Sequence, residues 1–148
     1  MILVIDSSAV LKWVLNEIDS AAARRILYDF QAQLVDLIAP ALVHSEVGNV
    51  LVKLVRGGDI TFAQADHAFA LVLQYSPTLH DSPELSRAAL KLASAHHQSY
   101  YDCLFLALAL ERRCGLVTAD ERFFRAMRSD FPAVQLVRNY VPSDQLPR

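Results

Sequence analysis

The chain has 148 residues, of which 53% are hydrophobic and 20% charged, enough for one domain with a substantial core. Its 14 basic and 16 acidic side chains give a net charge of −2, which excludes a strongly basic nucleic-acid coat but leaves room for a local basic patch. With only 4 Gly and 6 Pro, long low-complexity stretches are excluded too. The apolar fraction sits slightly above the globular average and hints at a buried partner surface.

Ile2 to Ile5 is a short β-branched apolar run and predicts a buried strand. It ends at Asp6-Ser7-Ser8, where Ser7 or Ser8 can cap a helix reaching about Asn16. Ala21 to Val35 carries Ile26, Leu27, Phe30 and Leu34 at helical spacing. Leu37 to Ala39 predicts a second strand, stopped by Pro40. Leu42 to Arg56 is amphipathic, with Val43, Val47, Val50, Leu51 and Leu54 on one stripe, and Gly57-Gly58 ends it.

Thr61-Phe-Ala-Gln64 has the form of a capping box and opens a helix to about Tyr75. Leu79-His80 predicts a minimal strand. Ser82-Pro83-Glu84 supplies a cap, a proline at the first helical position and an acid in the first turn of a helix to about His96. A helix over Tyr101 to Arg113 follows, then a strand at Leu116 to Thr118. Asp120 starts a helix to about Arg128. Ala133 to Val137 predicts the last strand, and residues 139–148 a frayed tail. Strands alternating with helices predict one α/β domain over 1–138, a parallel sheet covered by helices on both faces.

Cys103 and Cys114 lie at opposite ends of one predicted helix, roughly 16 Å apart at 1.5 Å per residue, too far for a disulfide. They predict free thiols and a cytoplasmic setting. No apolar run reaches a membrane span, and the start lacks a basic leader.

In open parallel sheets function gathers beyond the carboxyl ends of the strands. Asp6 and Asp120 stand there, although each also suits a helix cap. Glu46 borders the apolar stripe of its helix, where a carboxylate either reaches water or needs a partner. Asp102 opens the most apolar helix of the chain. Gathered together, four carboxylates would raise one another's proton affinity or require a cation. All-oxygen ligation suits Mg²⁺ or Mn²⁺, and such ions activate water and stabilise phosphate in transfer. Arg122, Arg125 and Arg128 follow Asp120 at three-residue spacing and offer either a solvated basic face or contacts to an RNA backbone. No phosphate-binding glycine loop is present, and His44, His67, His96 and His97 lack partners at zinc spacing.

Four segments resemble the motifs of PIN domains, in order and over nearly the whole chain: Val4-Ile-Asp6-Ser-Ser-Ala-Val-Leu-Lys-Trp13, Pro40-Ala-Leu-Val-His-Ser-Glu46-Val-Gly-Asn49-Val-Leu51, Tyr101-Asp102-Cys-Leu-Phe-Leu-Ala-Leu-Ala109 and Leu116-Val-Thr-Ala-Asp120-Glu-Arg-Phe123. Length and motif wording are most similar to VapC-type toxins of toxin–antitoxin modules. The resemblance implies a Rossmann-like sheet of four to five strands and a Mg²⁺- or Mn²⁺-dependent endoribonuclease. It implies Asp6, Glu46, Asp102 and Asp120 as catalytic and metal-binding acids. Ser7, Ser8, Asn49 and Thr118 would be their polar neighbours. It also implies an RNA substrate, a homodimer and a cognate antitoxin. Trp13, Phe30, Phe62 and Phe69 would form the antitoxin groove if they are not all core. The alternatives are an inactive module on the same fold and an acid-cluster phosphotransfer fold; for the latter the D-x-D pattern fails, since position 8 is Ser.

Overall fold

The computed structural model describes residues 1–142. Residues 143–148 of the expected tail lie outside the described residues. Five parallel strands are ordered β3-β2-β1-β4-β5: β1 (Ile2–Ile5), β2 (Asp36–Ala39), β3 (Thr78–Leu79), β4 (Gly115–Thr118) and β5 (Val134–Leu136). Seven α-helices connect them: α1 (Ser7–Val14), α2 (Ser20–Gln31), α3 (Leu42–Arg56), α4 (Phe62–Gln74), α5 (Pro83–His96), α6 (Tyr100–Arg112) and α7 (Glu121–Met127). Leu3, Val4 and Ile5 are all buried although alternate residues face opposite sides, so helices cover both faces of the sheet.

The register Val4↔Leu116 and Ile5↔Val117 joins β1 to β4. This pairing is the switch point, where the chain stops adding strands on one side and starts on the other. The residues that follow, Asp6 and Thr118, are therefore neighbours. Helix α6 lies across β1 and β4 with α5 against it. Every residue from Cys103 to Ala109 is buried, as expected of a helix apolar all round. Truncating Phe105, 1% exposed, to Ala should cost about 3–5 kcal/mol.

Several boundaries differ from the sequence expectation for identifiable reasons. Helix α1 is capped by Asp6, not by Ser7 or Ser8: the Asp6 side chain accepts the Ala9 N–H. It stops at Val14 and not Asn16 because Arg24 donates to the carbonyls of Trp13 and Leu15, and Ser20 also donates to Leu15. Helix α2 ends before Val35 because Gln33 turns left-handed at φ 60°. Helix α6 starts one residue early on the cap of Ser99 and leaves through Arg113, also left-handed. Gly115 is the first residue of β4, where a Cβ would come within 3.1 Å of Leu3 Cδ2. The capping box at Thr61 and Gln64 forms as read, and Gly58 at φ 77° turns the chain out of α3.

Trp13 belongs to the core at 6% exposure, which removes it from the expected antitoxin groove. Its indole N–H is buried without a partner among the described residues. Phe30 is half-buried against the core. Phe62 is exposed, and with Phe69 it lines an apolar cleft of about 420 Å³ between α3 and α4, floored by Leu51, Val55 and Ala65. Beyond β5, Tyr140 donates to the buried Asp29 of α2 at 2.7 Å. Both cysteines are free. Among the described residues no helix is long and apolar enough to cross a membrane.

Candidate active site

Two hydroxyl groups tie the end of β1 to the turn after β4. The Ser8 hydroxyl donates to Asp6 Oδ1 at 2.7 Å and accepts the Ala119 N–H at 2.9 Å. The Thr118 hydroxyl donates to Asp6 Oδ2 and accepts the Asp120 N–H at 3.0 Å. Asp6 Oδ1 also accepts the Ala9 N–H at 3.0 Å as the cap of α1. A carboxylate offers about four lone-pair sites, so Asp6 keeps one open. Asp120 caps α7 through Oδ1, which accepts the Phe123 N–H at 3.0 Å. Both strand-end acids are therefore helix caps, and capping leaves Asp120 Oδ2 unengaged.

Helix α3 packs against α1, and the contact carries Glu46 to the same end of the sheet. There Glu46 Oε1 accepts the Ser7 hydroxyl at 3.0 Å. Asp102 sits in the first turn of α6, whose cap Ser99 accepts the N–H groups of Tyr101 and Asp102. Ser99 is a residue that sequence reading missed, although the spacing Ser99-x-x-Asp102 resembles a capping box.

The electrostatics link these groups. Burial pushes the Asp6 carboxyl up to about 6, against the opposing pull of its hydrogen bonds from Ser8, Thr118 and Ala9, and the Asp102 charge adds to the rise. Glu46 is raised by burial and by Asp102. Asp102 is raised by burial and by Asp120. Asp102 thus interacts with each of the other three acids. It also helps burial push the neighbouring Cys103 thiol up to about 11, which keeps that thiol protonated. Among the described residues none of the four acids has a cationic side chain within ion-pair distance.

The donor set fits a hard divalent cation in charge and in ligand chemistry: all oxygen, anionic and uncompensated. Their spacing is looser than a closed coordination shell, since no three acidic, histidine or cysteine side chains among the described residues are grouped closely enough to hold a metal. Coulombic coupling reaches across several ångströms, whereas ligation needs oxygens at about 2.0–2.6 Å.

The remaining sequence candidates divide. The Asn49 side chain is exposed and makes no hydrogen bond among the described residues. Arg125 is held by Glu121 at 2.8 Å, and Arg128 lies over the Phe124 ring, 5.6 Å from its centroid. Arg122 is exposed with no partner among the described residues. Of these three arginines, Arg122 alone has no partner among the described residues.

The comparisons agree with this architecture. The sequence matches the PIN domain family over residues 3–128. No curated protein matches it. Among solved structures, PAE2754 from Pyrobaculum aerophilum is similar with a TM-score of 0.69 and 23% identity, over 93% of each chain. VapBC2 from Rickettsia felis, bound to a DNA fragment from its promoter, gives 0.64 and 14% identity, over 92% of this chain and 97% of that one. VapBC-1 from nontypeable Haemophilus influenzae gives 0.63 and 17% identity, over 94% and 100%. At these identities the structures speak for the fold alone, while the sequence match spans most of the chain: the protein belongs to the PIN domain family.

Proposed function

We propose that the chain is a divalent-metal-dependent endoribonuclease and the toxin of a toxin–antitoxin pair, with Asp6, Glu46, Asp102 and Asp120 as its catalytic and metal-binding acids. The observation that carries the reading is charge without compensation: four carboxylates from four elements, coupled through Asp102 and without a cationic partner among the described residues. Net repulsion of this kind persists only where something offsets it or uses it. A bound Mg²⁺ or Mn²⁺ supplies that offset and lowers the barrier to hydrolysis of a phosphodiester.

The chain's own residues divide the remaining work. Ser8 and Thr118 hold the Asp6 carboxylate and the Asp120 backbone in one frame. Ser7 aims Glu46. Arg122, two residues past Asp120, is free to meet a backbone phosphate.

The toxin assignment draws on the fold, shared with VapBC complexes and with a toxin–antitoxin complex from Klebsiella pneumoniae at a TM-score of 0.59. The apolar cleft of Phe62 and Phe69 suits an antitoxin segment, and an antitoxin arginine or lysine entering the acid pocket would compete with the metal. A homodimer, a cytoplasmic setting and a nuclease domain over 1–138 are part of the same reading. An inactive module on this fold has one observation in its favour, the loose spacing of the acids. The deciding experiment is incubation of the purified chain with RNA in Mg²⁺, in Mn²⁺ and in EDTA. Cleavage that requires metal supports the nuclease; RNA left intact under all three conditions sinks it.

A further inference from the structure

Helix α6 opens with two tyrosines directly ahead of Asp102. Tyr101 is 56% exposed and Tyr100 36%. Their rings meet edge to face, with centroids 5.9 Å apart and planes at 68°. Neither phenol has a hydrogen-bond partner among the described residues. The exposure is abrupt, because the helix is buried from Cys103 to Ala109. Aromatic surface at this position contributes little to the core.

The charge of the molecule makes this surface informative. The chain carries a net −2, the site gathers acids without a cationic partner among the described residues, and of the three arginines on the neighbouring α7 stretch only Arg122 is without a partner there. A polyanion brought to Asp102 finds little electrostatic attraction there. A nucleobase needs none, because its face stacks on an aromatic ring whatever its sequence identity. The bases of a duplex are already stacked inside the helix, so only an unpaired base can use such a ring.

We propose that Tyr101, its ring braced edge-on by Tyr100, is a base-stacking platform that recognises single-stranded RNA beside Asp102. It is a positioning residue: it holds an unpaired base while the adjoining phosphodiester lies at the acids. The inference rests on the RNA reading of the acidic site.

The test uses the full chain in EDTA, where metal-dependent cutting is blocked, with a short single-stranded RNA carrying 2-aminopurine. Binding should quench the probe. Raising the salt from 50 to 200 mM should weaken binding only about threefold, the slope of roughly one phosphate contact on a single strand. Tyr101→Phe should bind as the parent does. Tyr101→Leu should bind roughly 5- to 150-fold more weakly, the range of one lost stacked base. Its melting temperature should stay unchanged, since the ring is exposed. In Mg²⁺ the same variant should raise KM and leave kcat near the parent value. Failure of the parent to bind the strand, or unaltered binding and quenching by a folded Tyr100→Leu/Tyr101→Leu double variant, overturns the platform. Cleavage is scored separately. A parent that cuts RNA with indifference to both tyrosines loses the platform and keeps the nuclease. A parent that binds and quenches through Tyr101 but cuts no RNA loses the nuclease and keeps the platform.

Discussion

Asp120 and Glu121 are adjacent in sequence and belong to two opposite kinds of charged region. Asp120 is coupled to Asp102, and through it to Asp6 and Glu46, with no cationic partner for any of them among the described residues. Glu121 is gripped by Arg138 and Arg125, and Arg138 also reaches Asp19 at 3.2 Å. Hydrogen bonding and charge from Arg138 hold the Glu121 carboxyl below its usual range, whereas burial holds Asp6 far above its own. One region has settled its charges internally at the surface, tying Arg138, just past β5, to α7. The other keeps an unsettled excess at the switch point of the sheet. The difference teaches where to look: balanced charge fastens elements together, and unbalanced charge awaits a ligand.

The sharpest way to break this comparison is to remove charge from the unbalanced side. Asp6→Asn and Asp102→Asn should each reduce RNA cleavage by about 10³-fold or more, the scale of several kcal/mol of lost metal and charge stabilisation. The fold should persist, since Asn retains the capping oxygen of Asp6. Full activity of both variants in Mg²⁺ would refute the mechanism.

The next effect concerns stability without metal. Asp6 in the folded chain titrates near 6 against an ordinary 3.8, so between those values the folded state binds more protons than the unfolded one. Stability of the metal-free chain should therefore fall as pH rises through about 4 to 6, by of order 3 kcal/mol from this group. The raised Glu46 and Asp102 push the same way. Urea unfolding at pH 4, 5, 6 and 7.5 reads the slope. Asp6→Asn should flatten it and match or exceed the parent at pH 7.5. A parent whose stability rises across that window contradicts the burial argument.

Cation binding should reverse the deficit. At a hundred times its Kd, Mg²⁺ adds about 2.7 kcal/mol to the folded state, or roughly 5–10 °C for a domain of this size. The rise should be seen by thermal melting at pH 7.5 and lost in Asp102→Asn. An equal rise in that variant points to binding elsewhere.

The smallest effect lies on the balanced side. Glu121→Gln should lower the melting temperature slightly at low salt and not at all in high salt, because exposed pairs are weak and screened. A large, salt-independent loss would mean that Glu121 belongs with the acids of the site.

Much of the fold is readable before any coordinates. The stripe and the glycine stop delimit α3 as Leu42 to Arg56, and the Thr61 box opens α4. Both signals are local and unopposed. Boundaries went astray where tertiary partners decided them: Arg24 and Ser20 end α1 from another helix, and Gln33 turns left-handed with no glycine to announce it. At the site, the four acids stand out by position, at strand ends or inward faces. Their mutual field could not be read, because it depends on Asp102 being carried by α6 across β1 and β4. Arg122, Arg125 and Arg128 differ in their partners. Three-residue spacing puts them on one helix, but Glu121 and Phe124 on that helix engage two of them. Trp13 likewise suits a groove by composition and lies in the core by packing.

The pairing of β1 with β4 also sets a clock. Asp6 and the Thr118 hydroxyl that holds it are 112 residues apart in the chain, and a ribosome adding 5–20 residues per second needs roughly 5 to 20 s to cover that distance. Through that interval Asp6 lacks its partner strand, its bracing hydroxyl and Asp120. Long-range parallel pairing of this kind is also slow to form once the residues are available. The acids therefore cannot assemble before β4 and Asp120 have been made, and synthesis itself delays whatever chemistry they perform.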